Sequence, residues 1–94
     1  MSLSAAERVA IAVPILDKVY PNWEDKVNLQ ILNIRSPYHC VLAQIDGKFD
    51  IWKMIKNGYP GNTDAFSDSC RGIHEEWVKT ITNRRLAKLS QTSK

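Results

Sequence analysis

Four side chains of the types that bind zinc or act as nucleophiles occur in this chain: His39, Cys40, Cys70 and His74. Cys70 and His74 are four residues apart and would share one face of a helix. Structural zinc sites usually pair cysteines about two to four residues apart on a tight loop, and that spacing is missing. His39 and Cys40 are adjacent, so on a helix their side chains would point about 100° apart. We therefore predict no metal site.

The same residues could form a nucleophile pair, either Cys70 with His74 or Cys40 with His39. Such catalysis needs a reactive thiolate, an orienting partner and an oxyanion site, and no pattern indicates the last two. No phosphate-binding glycine motif is present either. We predict that the protein is not an enzyme and has no catalytic residues and no cofactor.

The paired acids are more typical of solvated helix faces than of acid–base catalysis: Glu24-Asp25, Asp46 with Asp50, Asp64 with Asp68, and Glu75-Glu76.

Length and composition indicate one small globular domain. The chain has 94 residues, of which 44% are apolar and 24% charged. Two cysteines are too few for a disulfide scaffold; a single bridge stays possible, although free thiols in a reducing cytoplasm are favoured. The longest apolar run, residues 9–16, contains Pro14 and is far shorter than the about 20 residues of a membrane-spanning helix. We expect a cytoplasmic protein that has no membrane contact.

The apolar spacing predicts a mainly α-helical fold: a small single-domain bundle of three or four helices, with an apolar extended connector packed on the core. Ser4 and Glu7 form a capping box for the first helix, in which Pro14 predicts a kink or break. Its predicted inner face is Ala6, Val9, Ala10, Val13, Leu16 and Tyr20. Asn22 could cap a short helix over 23–27, and residues 28–35 form the connector.

The second half of the chain predicts further helices. Ser36 is the expected N-cap of a helix that starts at Pro37, buries Cys40 and Val41, and breaks near Gly47. A restart at Phe49 would place Trp52 and Ile55 inside, before a stop at Asn57-Gly58. The last helix is predicted over 68–89, with Ile73, Trp77, Val78 and Ile81 on its apolar side. The domain would thus comprise residues 1–89, followed by a disordered basic tail over 90–94.

The charge is unevenly distributed along the chain. Residues 79–94 carry no acid, and their cations are Lys79, Arg84, Arg85, Lys88 and Lys94. One interpretation is a solvated helix end whose cations complement the helix dipole. The other is a basic patch of Lys79, Arg84, Arg85 and Lys88 that contacts nucleic acid or an acidic protein.

Three tryptophans are many for a chain of this length. All three could close the core of the bundle. Alternatively, one is partly exposed and anchors a partner, because tryptophan is enriched in interface hot spots. Trp23 and Trp52 are the better candidates for that role, since the spacing of Trp77 from Ile73 and Ile81 places it inside.

Several short motifs resemble a group of small proteins, mostly of unknown function, from actinobacteriophages of the mycobacteriophage type and from actinobacterial prophages. The resemblance covers about residues 5–85 and is carried by Ala6-Glu7, Leu16-Asp17, Pro21-x-Trp23, Leu32-Asn33-Ile34, Pro37, Cys40-Val41-Leu42-Ala43-Gln44, Ala65-Phe66, Trp77 and Arg84-Arg85. Those proteins commonly have glycine where this chain has Ala43, and their loop before Ala65 is often longer. The resemblance implies a phage or prophage origin and a bacterial host cytoplasm, but no activity or cofactor.

Together these observations favour a small phage-type protein that is a non-enzymatic module binding and modulating a host protein, with Trp23 and Trp52 as candidate contacts. The alternative is a nucleic-acid-binding accessory protein that uses the basic C-terminal helix, whose five cations could contact about five phosphates.

Overall fold

The fold is mainly α-helical, as the sequence predicts. The computed structural model describes residues 3–36, 39–47, 51–60, 65–66 and 71–92. Within these ranges α1 spans Ala5–Val19, α2 spans Val41–Asp46, α3 spans Ile51–Lys56 and α4 spans Ile73–Thr92, and no strand occurs. A 3₁₀ turn, Trp23–Asp25, follows α1. The helices and the connector share one apolar core.

The capping box at the start of α1 forms as predicted. The Ser4 backbone N–H donates to Glu7 Oε1 at 2.9 Å, and the Glu7 backbone N–H donates to Ser4 Oγ at 3.2 Å. These bonds from the Ser4 backbone and side chain hold the pKa of Glu7 below its ordinary value. Of the kink or break predicted at Pro14, the break is wrong, because α1 continues through it to Val19.

Replacing Ser4 by alanine should therefore lower the free energy of unfolding by about 1 kcal/mol, since it removes the acceptor for one orphan N–H of the helix start. For a domain of this size the melting temperature should fall by about 4–8 °C. Thr82→Ala is the matched control: the same kind of polar truncation at an exposed position inside α4. Equal melting temperatures for Ser4→Ala and the wild type would show that the capping box contributes nothing.

The inner face of α1 is rotated from the predicted one. Ala12 is buried with Val9 and Leu16, whereas Ala6 and Ala10 are exposed. A methyl group contributes little apolar area. The larger side chains therefore decide which face of the helix packs on the core.

The segment between α1 and α2 departs from the helical and extended predictions. Asn22 is not a side-chain cap: it adopts a left-handed conformation with φ 64° at the entrance to the 3₁₀ turn. Residues 28–35 form successive turns that bury Leu32 and Ile34 and leave Ile31 exposed. Gln44 of α2 holds this connector in place, because its Oε1 accepts the Asn28 N–H at 2.7 Å and its Nε2 donates to the His39 carbonyl at 2.9 Å.

The predicted start of the second helix at Ser36 is wrong. Residue 40 occupies the N-cap position of α2, and the Cys40 N–H donates to the Ser36 carbonyl at 3.2 Å. Pro37 and Phe49 lie outside the described residues. The predicted burial of Cys40 and Val41 is confirmed, and Leu42 and Ala43 are buried with them. The predicted helix end at Gly47 is also confirmed, with a φ of 78° that favours glycine.

α3 turns a different face inward from the one predicted. Met54 is fully buried, whereas Trp52, assigned to the inner face, is 68% exposed. Ile51 and Ile55 are half-buried against the core. α3 ends before Gly58, whose φ of 101° fits the predicted stop.

A row of four aromatic rings joins the elements of the core. Trp23 meets Trp77 edge-on with ring centroids 5.8 Å apart, Trp77 stacks on Phe66 at 5.4 Å, and Phe66 lies 5.5 Å from Tyr59. Trp77 Nε1 donates to the Ala65 carbonyl at 2.6 Å, and the Ala65 N–H donates to the Tyr59 hydroxyl at 2.7 Å. Phe66 is buried, so the chain at residues 65–66 is fixed to the core.

α4 buries Ile73, Trp77 and Ile81, as predicted. Its expected start at residue 68 lies outside the described residues. The helix reaches Thr92, so residues 90–92 are helical rather than part of a disordered tail. Leu86 and Leu89 do not extend the buried side, because they are 58% and 65% exposed.

Candidate functional site

The predicted basic patch on α4 is mostly an internal ion-pair cluster around Glu24, whose side chain is 2% exposed. Arg84 Nε lies 2.8 Å from Glu24 Oε1, and Lys88 Nζ contacts Glu24 Oε2. The same cations also reach two exposed acids: Arg84 Nη2 lies 2.5 Å from Asp17 Oδ1, and Lys88 Nζ lies 2.8 Å from Asp25 Oδ2. We call these five residues the Glu24 clamp.

Arg85 also joins α4 to the segment around Glu24, through hydrogen bonds to backbone carbonyls of that segment. Its Nε and Nη2 donate to the Glu24 carbonyl at 2.9 and 2.6 Å, and Nη2 also donates to the Val27 carbonyl. Arg84, Arg85 and Lys88 of the predicted basic patch thus bind acids and carbonyls of their own chain. Lys79, the remaining member, is exposed. The Glu24 clamp was not predicted from the sequence. Its acids lie about 60 residues before its cations, and no local pattern indicates that they are in contact.

The electrostatics of the clamp favour the charged forms. Burial raises the pKa of Glu24, but hydrogen bonds and attraction from Lys88 and Arg84 outweigh it and leave the pKa below its ordinary value. Hydrogen bonds to Asp25 and Glu24 raise the pKa of Lys88. The two pKa shifts thus favour the charged forms of Glu24 and Lys88, whose ion pair ties α4 to the 3₁₀ turn.

Trp23 cannot serve as a partner contact, because it has no exposed surface. Besides its edge-on contact with Trp77, its Nε1 donates to Asp17 Oδ1 at 2.9 Å, and the Arg84 guanidinium carbon lies 5.5 Å from the ring centroid. The prediction of Trp23 as a binding residue is wrong, because the ring sits in the core beneath the clamp.

Trp52 has the opposite environment. Its side chain is the most exposed of the large apolar side chains in the described part of the chain. Lys53 and Lys56 are exposed on the same short helix. We call Trp52, Lys53 and Lys56 the α3 face.

Two side chains outside the α3 face contact Lys53. Its Nζ lies 5.5 Å from the Tyr20 ring centroid and 3.8 Å from Asp46 Oδ1. The Tyr20 hydroxyl in turn donates to Asp46 Oδ2 at 3.3 Å. These contacts join α3 to the end of α1 and to α2.

Among the described residues, no group of three or more histidine, cysteine or acidic side chains could hold a metal. Cys40 is a free, buried thiol. His39 is exposed, with Nδ1 at 3.2 Å from Ser36 Oγ. Cys70, and with it the Cys70–His74 pair, lies outside the described residues.

An open groove of about 930 Å³ lies between the connector and the start of α4. Polar side chains dominate its lining, among them Asn33, Arg35, Arg71, His74 and Glu75. Its described lining offers one histidine and no thiol or hydroxyl for that histidine to activate.

Comparisons of this chain with protein-family models, with curated proteins and with solved structures found no match. In the part of the chain that the structure describes, every helix is too short or too polar to cross a membrane.

Proposed function

We propose that this protein is a non-enzymatic binding module that docks on another protein through the α3 face. The observation that carries the proposal is the exposure of Trp52. Tryptophan presents a large apolar area and is the residue type most enriched in interface hot spots. Trp52 is 68% exposed, and fully burying a large apolar side chain contributes roughly 1.5–3 kcal/mol, so a partner that covered the exposed part would gain a share of that free energy.

The α3 face is held in place before any partner arrives. Met54 anchors α3 in the core, directly beneath the exposed side. The Lys53 contacts with Tyr20 and Asp46 restrict the lysine next to Trp52. A surface that is already ordered loses less conformational entropy on binding, so a small face can still bind usefully.

The proposed partner is a host protein whose activity the module modulates. This part of the proposal is supported by the resemblance to actinobacteriophage proteins, which would place the partner in an actinobacterial cytoplasm. The nucleic-acid alternative has less support, because Arg84, Arg85 and Lys88 contact acids and carbonyls of their own chain.

Trp52→Ala should weaken binding of the partner by about 10- to 100-fold, since a hot-spot tryptophan contributes about 1.4–2.8 kcal/mol or more. The measurement is retention of a partner from actinobacterial lysate, followed by an affinity titration with that partner once it is identified. Leu86→Ala is the matched control, because it also truncates an exposed apolar side chain. A partner that binds Trp52→Ala as tightly as the wild type would contradict the proposed docking site.

A further inference from the structure

The charges on the α3 face indicate what kind of surface it binds. Lys56 lies four residues after Trp52, one helical turn along the same side, and Lys53 lies next to Trp52. Both lysines are exposed. An apolar anchor with two cations beside it is complementary to an apolar surface bordered by anions.

The acid next to this face, Asp46, offsets the charge of Lys53 but not that of Lys56. Asp46 is engaged by the Tyr20 hydroxyl and by Lys53. Lys56 forms no ion pair with any residue in the described ranges. Its ammonium group is therefore available to a carboxylate of a bound protein.

We propose that the partner presents an acidic segment, in which an apolar side chain or pocket receives the indole of Trp52 and a neighbouring carboxylate meets Lys56. This inference rests on the proposed function, because it names the partner chemistry for the same face. A protein segment is favoured over nucleic acid because two lysines could contact only about two phosphates, too few for firm electrostatic binding.

The test uses a display library of random linear peptides as the probe, selected on the intact protein and counter-selected on Trp52→Ala. The expected peptides bind only the wild type, are enriched in Asp and Glu, and carry at least one large apolar residue. Wild-type-specific peptides with no acidic excess would overturn the acidic partner and leave the proposed function standing. A library from which no peptide distinguishes the wild type from Trp52→Ala would overturn both.

A pair of charge reversals tests the role of Lys56 with net charge controlled. Lys56→Glu and Lys79→Glu each change the formal net charge from +3 by two units, to +1. We expect Lys56→Glu to weaken the best acidic peptide about fivefold or more at about 50 mM salt, with a smaller loss at about 500 mM, because exposed charges are screened. Lys79→Glu should stay within about twofold of the wild type.

Two further measurements keep this result interpretable. Lys56→Gln, which cannot repel a carboxylate, should give an intermediate loss; equal affinities for Lys56→Gln, Lys56→Glu and Lys79→Glu would overturn the inference. A single-stranded DNA oligonucleotide is added as a competitor. Displacement of the peptide by DNA at physiological salt, with no loss on Lys79→Glu, would reassign the α3 face to nucleic acid and overturn the acidic-protein partner.

Discussion

Trp23→Ala is expected to lower the free energy of unfolding by about 3–5 kcal/mol, the range for truncating a fully buried aromatic side chain. The change removes the edge-on contact with Trp77, the hydrogen bond to Asp17 and the ring beneath Arg84. A small domain has about 5–15 kcal/mol of stability in total, so the variant should be close to unfolding at room temperature. The measurement is the urea midpoint, followed by far-ultraviolet circular dichroism.

The control for Trp23 is the same substitution at Trp52. Because Trp52 is 68% exposed, Trp52→Ala should change stability by less than about 1 kcal/mol while it weakens partner binding. Similar urea midpoints for the two variants would mean that the burial of Trp23 or the exposure of Trp52 is wrong.

Glu24→Gln is expected to lower the free energy of unfolding by about 2–3 kcal/mol. The substitution keeps the size of the side chain but removes the buried charge that Arg84 and Lys88 share, and its amide group would point hydrogens at one of the two cations. Breaking a fully buried ion pair costs about 3–5 kcal/mol; the effect here is smaller because Arg84 and Lys88 are each about one third exposed and can be rehydrated. The measurement is the urea midpoint at neutral pH.

Asp25→Asn is the matched control for Glu24→Gln. Asp25 also contacts Lys88, but its side chain is 55% exposed, so its ion pair is screened by water. We expect a loss of less than about 1 kcal/mol. Equal losses for the two variants would show that burial does not set the strength of the clamp.

The contribution of Glu24 should also depend on pH in a defined direction. Its pKa in the folded protein lies below the ordinary 4.5, so the unfolded chain binds the proton more readily. The stabilisation is therefore complete above about pH 5 and is lost as the pH falls through the folded pKa. The stability difference between wild type and Glu24→Gln should shrink at acidic pH; a difference that grows there would contradict the clamp.

Local signals in the sequence predict the parts of the fold that depend on local chemistry. The Ser4–Glu7 capping box and the helix ends at Gly47 and Gly58 follow from hydrogen bonding and backbone preference within a few residues. The burial of Trp77 follows from its spacing to Ile73 and Ile81, since large apolar side chains at helical spacing leave little choice of face.

The sequence does not predict the parts that depend on contacts distant in the chain. Trp23 and Trp52 both stand beside charged residues, so their local patterns are alike. The two tryptophans differ in their tertiary environment. Trp23 lies against Trp77 and Asp17, whereas Trp52 lies on the exposed side of α3, opposite the buried Met54. The Glu24 clamp was missed for the same reason, because a count of charges along α4 takes no account of acids that fold onto it.

The central claim, that the α3 face is the docking site, is tested most directly by photo-crosslinking from that face. Trp52→p-benzoylphenylalanine is expressed in an actinobacterial cell, and Leu86→p-benzoylphenylalanine serves as the control at a similarly exposed position. We predict one discrete adduct from position 52 to a protein with an acidic surface segment, and none from position 86. An adduct from position 86 alone, the same adducts from both positions, or no adduct from position 52 would contradict the assignment.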